Sequence, residues 1–301
     1  MSSNKERPQA QRNWAQGLSA SRRAYNTGMR ALIYIAAAIV VALLIFLLGY
    51  ILYRGLPNLT PQFLTSEESV VRDIQGIGPA IVNTIYVIIA TLIVVLPLGV
   101  GSAIYLTEYA TNHKLVSAIE FATETLAGIP SIIYALVGVL VFAESLRLGK
   151  TLIAGALTLV IMTLPTVIRT TQESLKTVPQ SYREGSLGLG SGKWHMIRTV
   201  VLPSSIDGIV TGCILAIGRI VGESAVLLYT VGMSMSMQNF FRNGLESFFS
   251  ASGSTLSVAL YVYAKVRADF DLAFSVAVVL IVITLVINLA ANLVGKKLKK
   301  K

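Results

Sequence analysis

An all-α integral membrane protein with six transmembrane helices is the fold class the sequence predicts, on three observations. Of its 301 residues 54% are hydrophobic and only 13% charged, with a mean hydropathy of +0.69, a balance too apolar for an ordinary soluble domain. The charges bound long uncharged runs, each with room for the ~20 residues that a helix needs to cross a bilayer. The net charge of +10 gathers at the ends of those runs and not along them, as the positive-inside rule expects of a membrane protein.

Residues 1–30, rich in Ser, Gln, Asn and Arg, read as a cytoplasmic N-terminal arm. The basic leader and the long apolar run behind it do not suit a cleaved signal peptide, whose core is only ~7 to 15 residues. Residues 31–295 are expected to form a six-helix transmembrane domain. Uncharged runs lie between Arg30 and Arg54, Asp73 and Glu108, Glu124 and Glu144, Lys150 and Arg169, and Asp271 and Lys296. The remaining span, Ser205 to Met233, is fifth in order and carries Arg219 and Glu223 near its middle. A polar loop at 173–203 separates the fourth and fifth spans. The segment from Met235 to Phe270 mixes Phe240, Phe241, Phe248 and Phe249 with Gly and Ser, and predicts a short helix over 256–265 at the outer surface. The basic tail, 296–301, closes the chain.

Lys5, Arg7, Arg12, Arg22, Arg23 and Arg30 precede the first span, and Lys296, Lys297, Lys299, Lys300 and Lys301 follow the last. Six spans put both clusters, and the 173–203 loop with Lys176, Arg183, Lys193 and Arg198, on the cytoplasmic side. The cations are then accounted for by the lipid bilayer, and no nucleic-acid partner is expected. The single cysteine, Cys213, excludes an intramolecular disulfide. His113 and His195 have no neighbours at metal-ligand spacing, so neither a metal nor a catalytic group is expected. A GxxxxGKS/T phosphate loop is absent, so any ATP chemistry belongs to another chain.

Two motifs carry the functional reading. The loop EGSLGLGSGKWHMIRTVVLP, Glu184 to Pro203, places Gly185 and Ser186 after the Glu, Gly190 six residues on, and Leu202 and Pro203 at its end. Tyr182, Leu187, Leu189, Trp194 and Ile197 supply apolar knobs for a partner groove, and Gly190 and Gly192 allow a sharp bend between two short helices. This spacing resembles the EAA loop of ABC-importer permeases, with both alanines replaced by small residues. The resemblance implies the type I ABC-importer permease fold and a cytoplasmic coupling loop seated on a separate ATPase.

The second motif is intramembrane. Arg219 lies about fourteen residues into the fifth span, or ~21 Å along a helix, where a charge costs ~2.5 to 3.5 kcal/mol on insertion scales. Glu223 follows at i+4, the spacing that places two side chains on one helix face. The two either neutralise each other or present a forked cation to an oxyanion. Gly208, Gly212, Gly218 and Gly222 form small-xxx-small pairs that favour a close helix neighbour. Glu120 and Glu124, at the start of the third span, either pack at the interface or line the path. Arg169 is either a boundary cation or an inner-gate contact. Pro97, Pro130 and Pro165 lie in or near spans.

GIGPAIVNT (76–84), GIPSIIYALVG (128–138) and GRIVGESA (218–225) resemble the corresponding segments of phosphate ABC-importer permeases, and the Lys-rich end resembles the PstA type. That resemblance implies a PstC-type permease as heterodimer partner, a PstB-type ATPase dimer that binds ATP and Mg so that this chain needs no cofactor, a PstS-type phosphate-binding protein, and the bacterial cytoplasmic membrane. Sulfate or molybdate, tetrahedral like phosphate, is the alternative substrate; a passive anion channel would use the same Arg without a docking loop.

Overall fold

The computed structural model of the protein describes residues 20–68, 74–234 and 252–299. Most of the N-terminal arm, the four phenylalanines between 240 and 249, and Lys300 and Lys301 lie outside the described residues. All regular elements among the described residues are helical. The chain divides between Tyr53 and Arg54 into two units. The first is essentially one helix, α1 (Ala20–Gly55), apolar through most of its length because it has to satisfy every backbone group internally in lipid. It starts at Ala20, ahead of the span expected from residue 31, so the last part of the arm is helical.

The second unit is built around the fourth span. After a helical turn at Leu56–Asn58 and α2 (Pro61–Thr65), α3 (Gly78–Ile104) leads into a π-helical turn at Tyr105–Tyr109. The third span is a broken pair, α4 (His113–Ala127) and α5 (Ser131–Gly138, continuing as a π turn to Ser145), bent by 97°. The bend replaces the straight span expected between Glu124 and Glu144. Gly128 and Pro130 explain it: Pro130 takes φ −58°, ψ 138° immediately before α5 and has no N–H to continue α4. Then come α6 (Leu152–Lys176), α7 (Gln180–Gly188), α8 (Lys193–Met196) and α9 (Leu202–Gly222), the last two joined by a π turn into one rod of 30 residues. A six-residue α10 (Ala225–Thr230), α11 (Leu256–Tyr261, with a π turn to Val266) and α12 (Phe270–Lys299) complete it. The basic tail is therefore largely a continuation of the last helix.

The hub is α6. Two thirds of its apolar window, 67%, is buried inside the protein, against 33% for α3 and 28% for α9 and α12. It packs on α3, α9, α4 and α5, while the other spans keep lipid-facing stripes. Close packing against α9 uses glycine: a Cβ at Gly208 would collide with Ser174, and one at Gly212 with Thr170. Ser174 Oγ donates to the Ser205 carbonyl at 2.7 Å across that contact. Gly218 and Gly222 have open space instead, so only the first small-xxx-small pair serves helix packing.

The short helix expected at the outer surface has its first half in the core, while Tyr261, Lys265 and Val266 at its far end are exposed. Leu256, Val258 and Ala259 are fully buried in α11. Its N-terminal backbone is held by α3: the Leu256 N–H donates to Thr84 Oγ1 at 2.8 Å, and Asn83 Nδ2 donates to the Ser254 carbonyl at 3.0 Å. Irregular backbone is tolerated at membrane depth only where protein satisfies it in this way. Asn83 and Thr84, the polar end of the 76–84 phrase, serve that purpose.

Candidate functional site: coupling loop and interior charge

The coupling loop is a helix–turn–helix. α7 ends at Gly188, and Gly190 takes φ +87°, a left-handed value that glycine adopts without a Cβ penalty. Ser186 and Ser191 hydroxyls meet across the turn at 2.7 Å, and Ser191 Oγ also donates to the Ser186 carbonyl at 2.8 Å. Glu184, Gly185, Leu187, Leu189 and Trp194 are exposed, Leu189 at 92%. The second helix is not short as expected: it runs through Leu202 and Pro203 into the fifth span. Pro203 sits in the first turn of α9, where its missing N–H is tolerated because a π turn precedes it.

A buried ion pair fixes this loop, between two residues 75 positions apart that no local sequence pattern connects. Arg183 and Glu108 are 12% and 6% exposed, with Nη2 and Oε1 2.9 Å apart and Nε to the same oxygen at 3.1 Å. Arg183 also donates to the carbonyls of Val178 (2.6 Å) and Leu175 (2.9 Å), capping the end of α6. A single guanidinium thus ties α7, α6 and the π turn after α3 together. Below it Leu175, Val178, Met196, Ile197 and Val201 form a small apolar cluster with Ala103. Lys193 Nζ lies 5.1 Å from the centre of the Tyr109 ring, a cation–π contact on the same side.

Arg219 occupies the last turn of α9. Its Nη1 donates to Thr166 Oγ1 of α6 at 3.3 Å, and it lies within electrostatic range of the Tyr134 phenol. Tyr134 donates to the Leu126 carbonyl at 2.8 Å, at the α4–α5 bend. Glu223 is not on the same helical face. The helix stops at Gly222, and Glu223 is extended at φ −81°, ψ 114°. Its carboxylate accepts from the Val226 N–H at 3.2 Å and its carbonyl from Ser257 Oγ at 2.8 Å. Capping α10 and joining α11 therefore displaces the i,i+4 geometry that an unbroken helix would impose. Among the described residues Arg219 has no carboxylate within ion-pair distance.

The other three candidates come together along the C-terminal part of α6, starting one turn beyond Thr166. Arg169 Nη1 pairs with Glu124 Oε1 at 2.9 Å and Nε with Glu173 at 3.0 Å. Glu120 Oε1 accepts from Lys176 at 2.9 Å and from Gln172 at 3.3 Å. These groups line a cleft of about 180 Å³ between α4 and α6. Gln172, Glu173 and Lys176 complete the cluster; their i+3, i+4 and i+7 spacing from Arg169 is the sequence signal for it.

Residues 96–301 match the family described as binding-protein-dependent transport system inner membrane component. The chain is 39% identical over 214 residues, 71% of its length and 72% of the relative's, to "Probable ABC transporter permease protein YqgI" of Bacillus subtilis (strain 168). It is 30% identical over 253 residues, 83% of its length and 80% of the relative's, to "Phosphate transport system permease protein PstA" of Mycobacterium leprae (strain TN). Among solved structures, a bacterial alginate ABC transporter in complex with alginate pentasaccharide-bound periplasmic protein aligns with TM-score 0.65 at 14% identity, covering 93% of this chain and 99% of the other.

Proposed function

The chain belongs to the family of binding-protein-dependent transport system inner membrane components, and from that premise we propose that it is the PstA-type permease subunit of an ATP-driven importer of inorganic phosphate. It is a multi-pass membrane component of an ABC importer with the type I permease fold. The phosphate reading draws support from the similarity to PstA permeases and from one feature of the site. Arg219 is a half-buried cation whose side-chain partner among the described residues is a single neutral hydroxyl, that of Thr166. A guanidinium has five N–H donors, and a charge held in a membrane interior needs a compensating anion or a watery cavity. A tetrahedral oxyanion satisfies both needs, and the planar fork engages two of its oxygens at once.

Arg219 receives phosphate delivered by a PstS-type binding protein, in a cavity shared with a PstC-type subunit. Broken helices surround it: α9 ends three residues on, and the α4–α5 bend is reached through Tyr134. Such breaks free backbone groups for a cavity and give the neighbouring helices points at which to pivot. At the cytoplasmic side a PstB-type ATPase dimer binds ATP and Mg and grips the exposed Tyr182, Leu187, Leu189 and Trp194. Because α8 and α9 are one rod, a displacement of the coupling loop is carried to Arg219 at its far end. Through Arg183 the same motion reaches α3 and α6.

The test is labelled phosphate uptake by the whole complex with Arg219→Lys. Charge is kept and the fork lost, so uptake falls at least tenfold, ~1.4 kcal/mol of transition-state stabilisation, with assembly intact. Uptake at the normal rate overturns the assignment of Arg219. Competition by sulfate or molybdate in place of phosphate keeps the permease and changes its substrate, and uptake that persists without ATPase identifies a channel.

A further inference from the structure

Arg169, Lys176 and the three carboxylates around them form a second feature on the same helix face as the Arg219 contact. Thr166, Arg169, Glu173 and Lys176 follow one another at i, i+3, i+7 and i+10, so one stripe of α6 runs about 15 Å from the hydroxyl that holds Arg219 to the coupling-loop end. Both cations on that stripe are occupied: Arg169 by Glu124 and Glu173, Lys176 by Glu120. Three carboxylates surround two cations, so the cluster carries net negative charge and repels an anion while it is closed.

The strength of these pairs decides what they can do. Their side chains are between 36% and 63% exposed, where an ion pair is worth ~0 to 1 kcal/mol. An oxyanion can displace such partners at little cost. The Arg183–Glu108 pair, 12% and 6% exposed, is of the kind that costs ~3 to 5 kcal/mol to break and stays closed. Glu120 and Glu124 belong to α4 and the cations to α6, so the exchangeable pairs bridge two helices packed against each other. Only Glu173 shares α6 with Arg169.

We propose that Arg169 and Lys176 form a second, exit-side oxyanion site, and that Glu120, Glu124 and Glu173 act as built-in competitors that expel the anion from it. Resting on the phosphate-permease reading above, the inference gives the carboxylates a definite task. When α4 parts from α6, Arg169 accepts phosphate from Arg219; when the helices close, the carboxylates reclaim both cations and the anion leaves toward the cytoplasm. Without these carboxylates the site would retain its product.

Product retention is measurable in the whole complex in nanodiscs, with binding protein saturated with phosphate and ATP turnover followed as ADP while inorganic phosphate is titrated. In Glu124→Gln with Glu173→Gln the half-inhibiting phosphate concentration falls about tenfold, ~1.4 kcal/mol, within what two exposed pairs of at most ~1 kcal/mol each supply when they no longer compete. Adding Arg169→Gln to that pair abolishes the extra sensitivity, and Glu173→Gln alone, which leaves the α4–α6 bridge in place, gives a smaller fall. An unchanged half-inhibiting concentration in both the double and the single variant, or the same fall with Arg169 removed, overturns the exit site. Greater sensitivity to sulfate than to phosphate in the double variant would leave the exit site standing and refute phosphate as the cargo. Normal uptake by Arg219→Lys would refute the entry contact without touching this result.

Discussion

Breaking the Arg183–Glu108 pair should loosen the coupling loop locally while leaving the membrane core intact. Arg183→Met removes the guanidinium and strands a carboxylate that is 6% exposed. Removing one partner of a buried pair costs ~3 to 5 kcal/mol, and the carbonyls of Leu175 and Val178 lose a charged donor as well. Val178 N–H still reaches the Leu175 carbonyl at 3.3 Å, so that second loss stays near ~1 kcal/mol. The double variant Arg183→Met with Glu108→Leu takes away both charges, for which hydrophobic replacement is often near neutral; only the carbonyl loss then remains. Local opening free energy sets amide exchange, so exchange across α7 (Gln180–Gly188) should accelerate by roughly 10³ to 10⁴-fold in the single variant, since each ~1.4 kcal/mol is a factor of ten. The double variant should recover most of that protection. ATPase stimulation by loaded binding protein should follow the same order: wild type, then double, then single. Unchanged exchange in α7 for Arg183→Met, or a double variant as loose as the single one, refutes the idea that this pair anchors the loop.

Replacing Gly190 by Val forces a β-branched residue to φ +87°, at ~1 to 2 kcal/mol for the left-handed conformation; the ATPase should co-purify poorly, while Gly190→Asn, which tolerates that φ, should keep most coupling. The pair Arg219→Gln with Glu223→Gln should assemble and remain inactive, because Glu223 caps α10 and does not neutralise Arg219; recovered uptake in labelled-phosphate assays would show that the two charges matter only to each other. Introducing Ala at Glu223 should cost about 1 kcal/mol through the lost cap and shift thermal unfolding of the complex, whereas Gln retains an accepting oxygen and should not. In a Cys213→Ser background, a cysteine at Ser191 should label with an impermeant maleimide only from the cytoplasmic side; labelling from outside would reverse the proposed orientation.

Read along the chain, the bilayer itself dictated what was legible. Hydrocarbon admits only backbone that bonds to itself, so spans appear as long uncharged runs, and the rule holds locally, residue by residue, for α1, α3, α6 and α12. The coupling loop was legible for the same local reason: Gly190 at positive φ and the paired serines act within a few residues. The breaks in the interior were decided by the tertiary structure. Glu223 leaves its helix because Val226 and Ser257 offer better partners than another helical turn. The start of α11, residues 256–259, is buried where Asn83 and Thr84, more than 170 positions away, satisfy the backbone leading into it. Arg183 finds Glu108 at a separation of 75 residues, and Arg169 finds Glu124 across the α4–α6 contact. Hydrophobic runs report transfer from water to lipid, which depends on composition alone. Charge pairing and backbone satisfaction depend on which helices meet, and so only the packed structure could assign them.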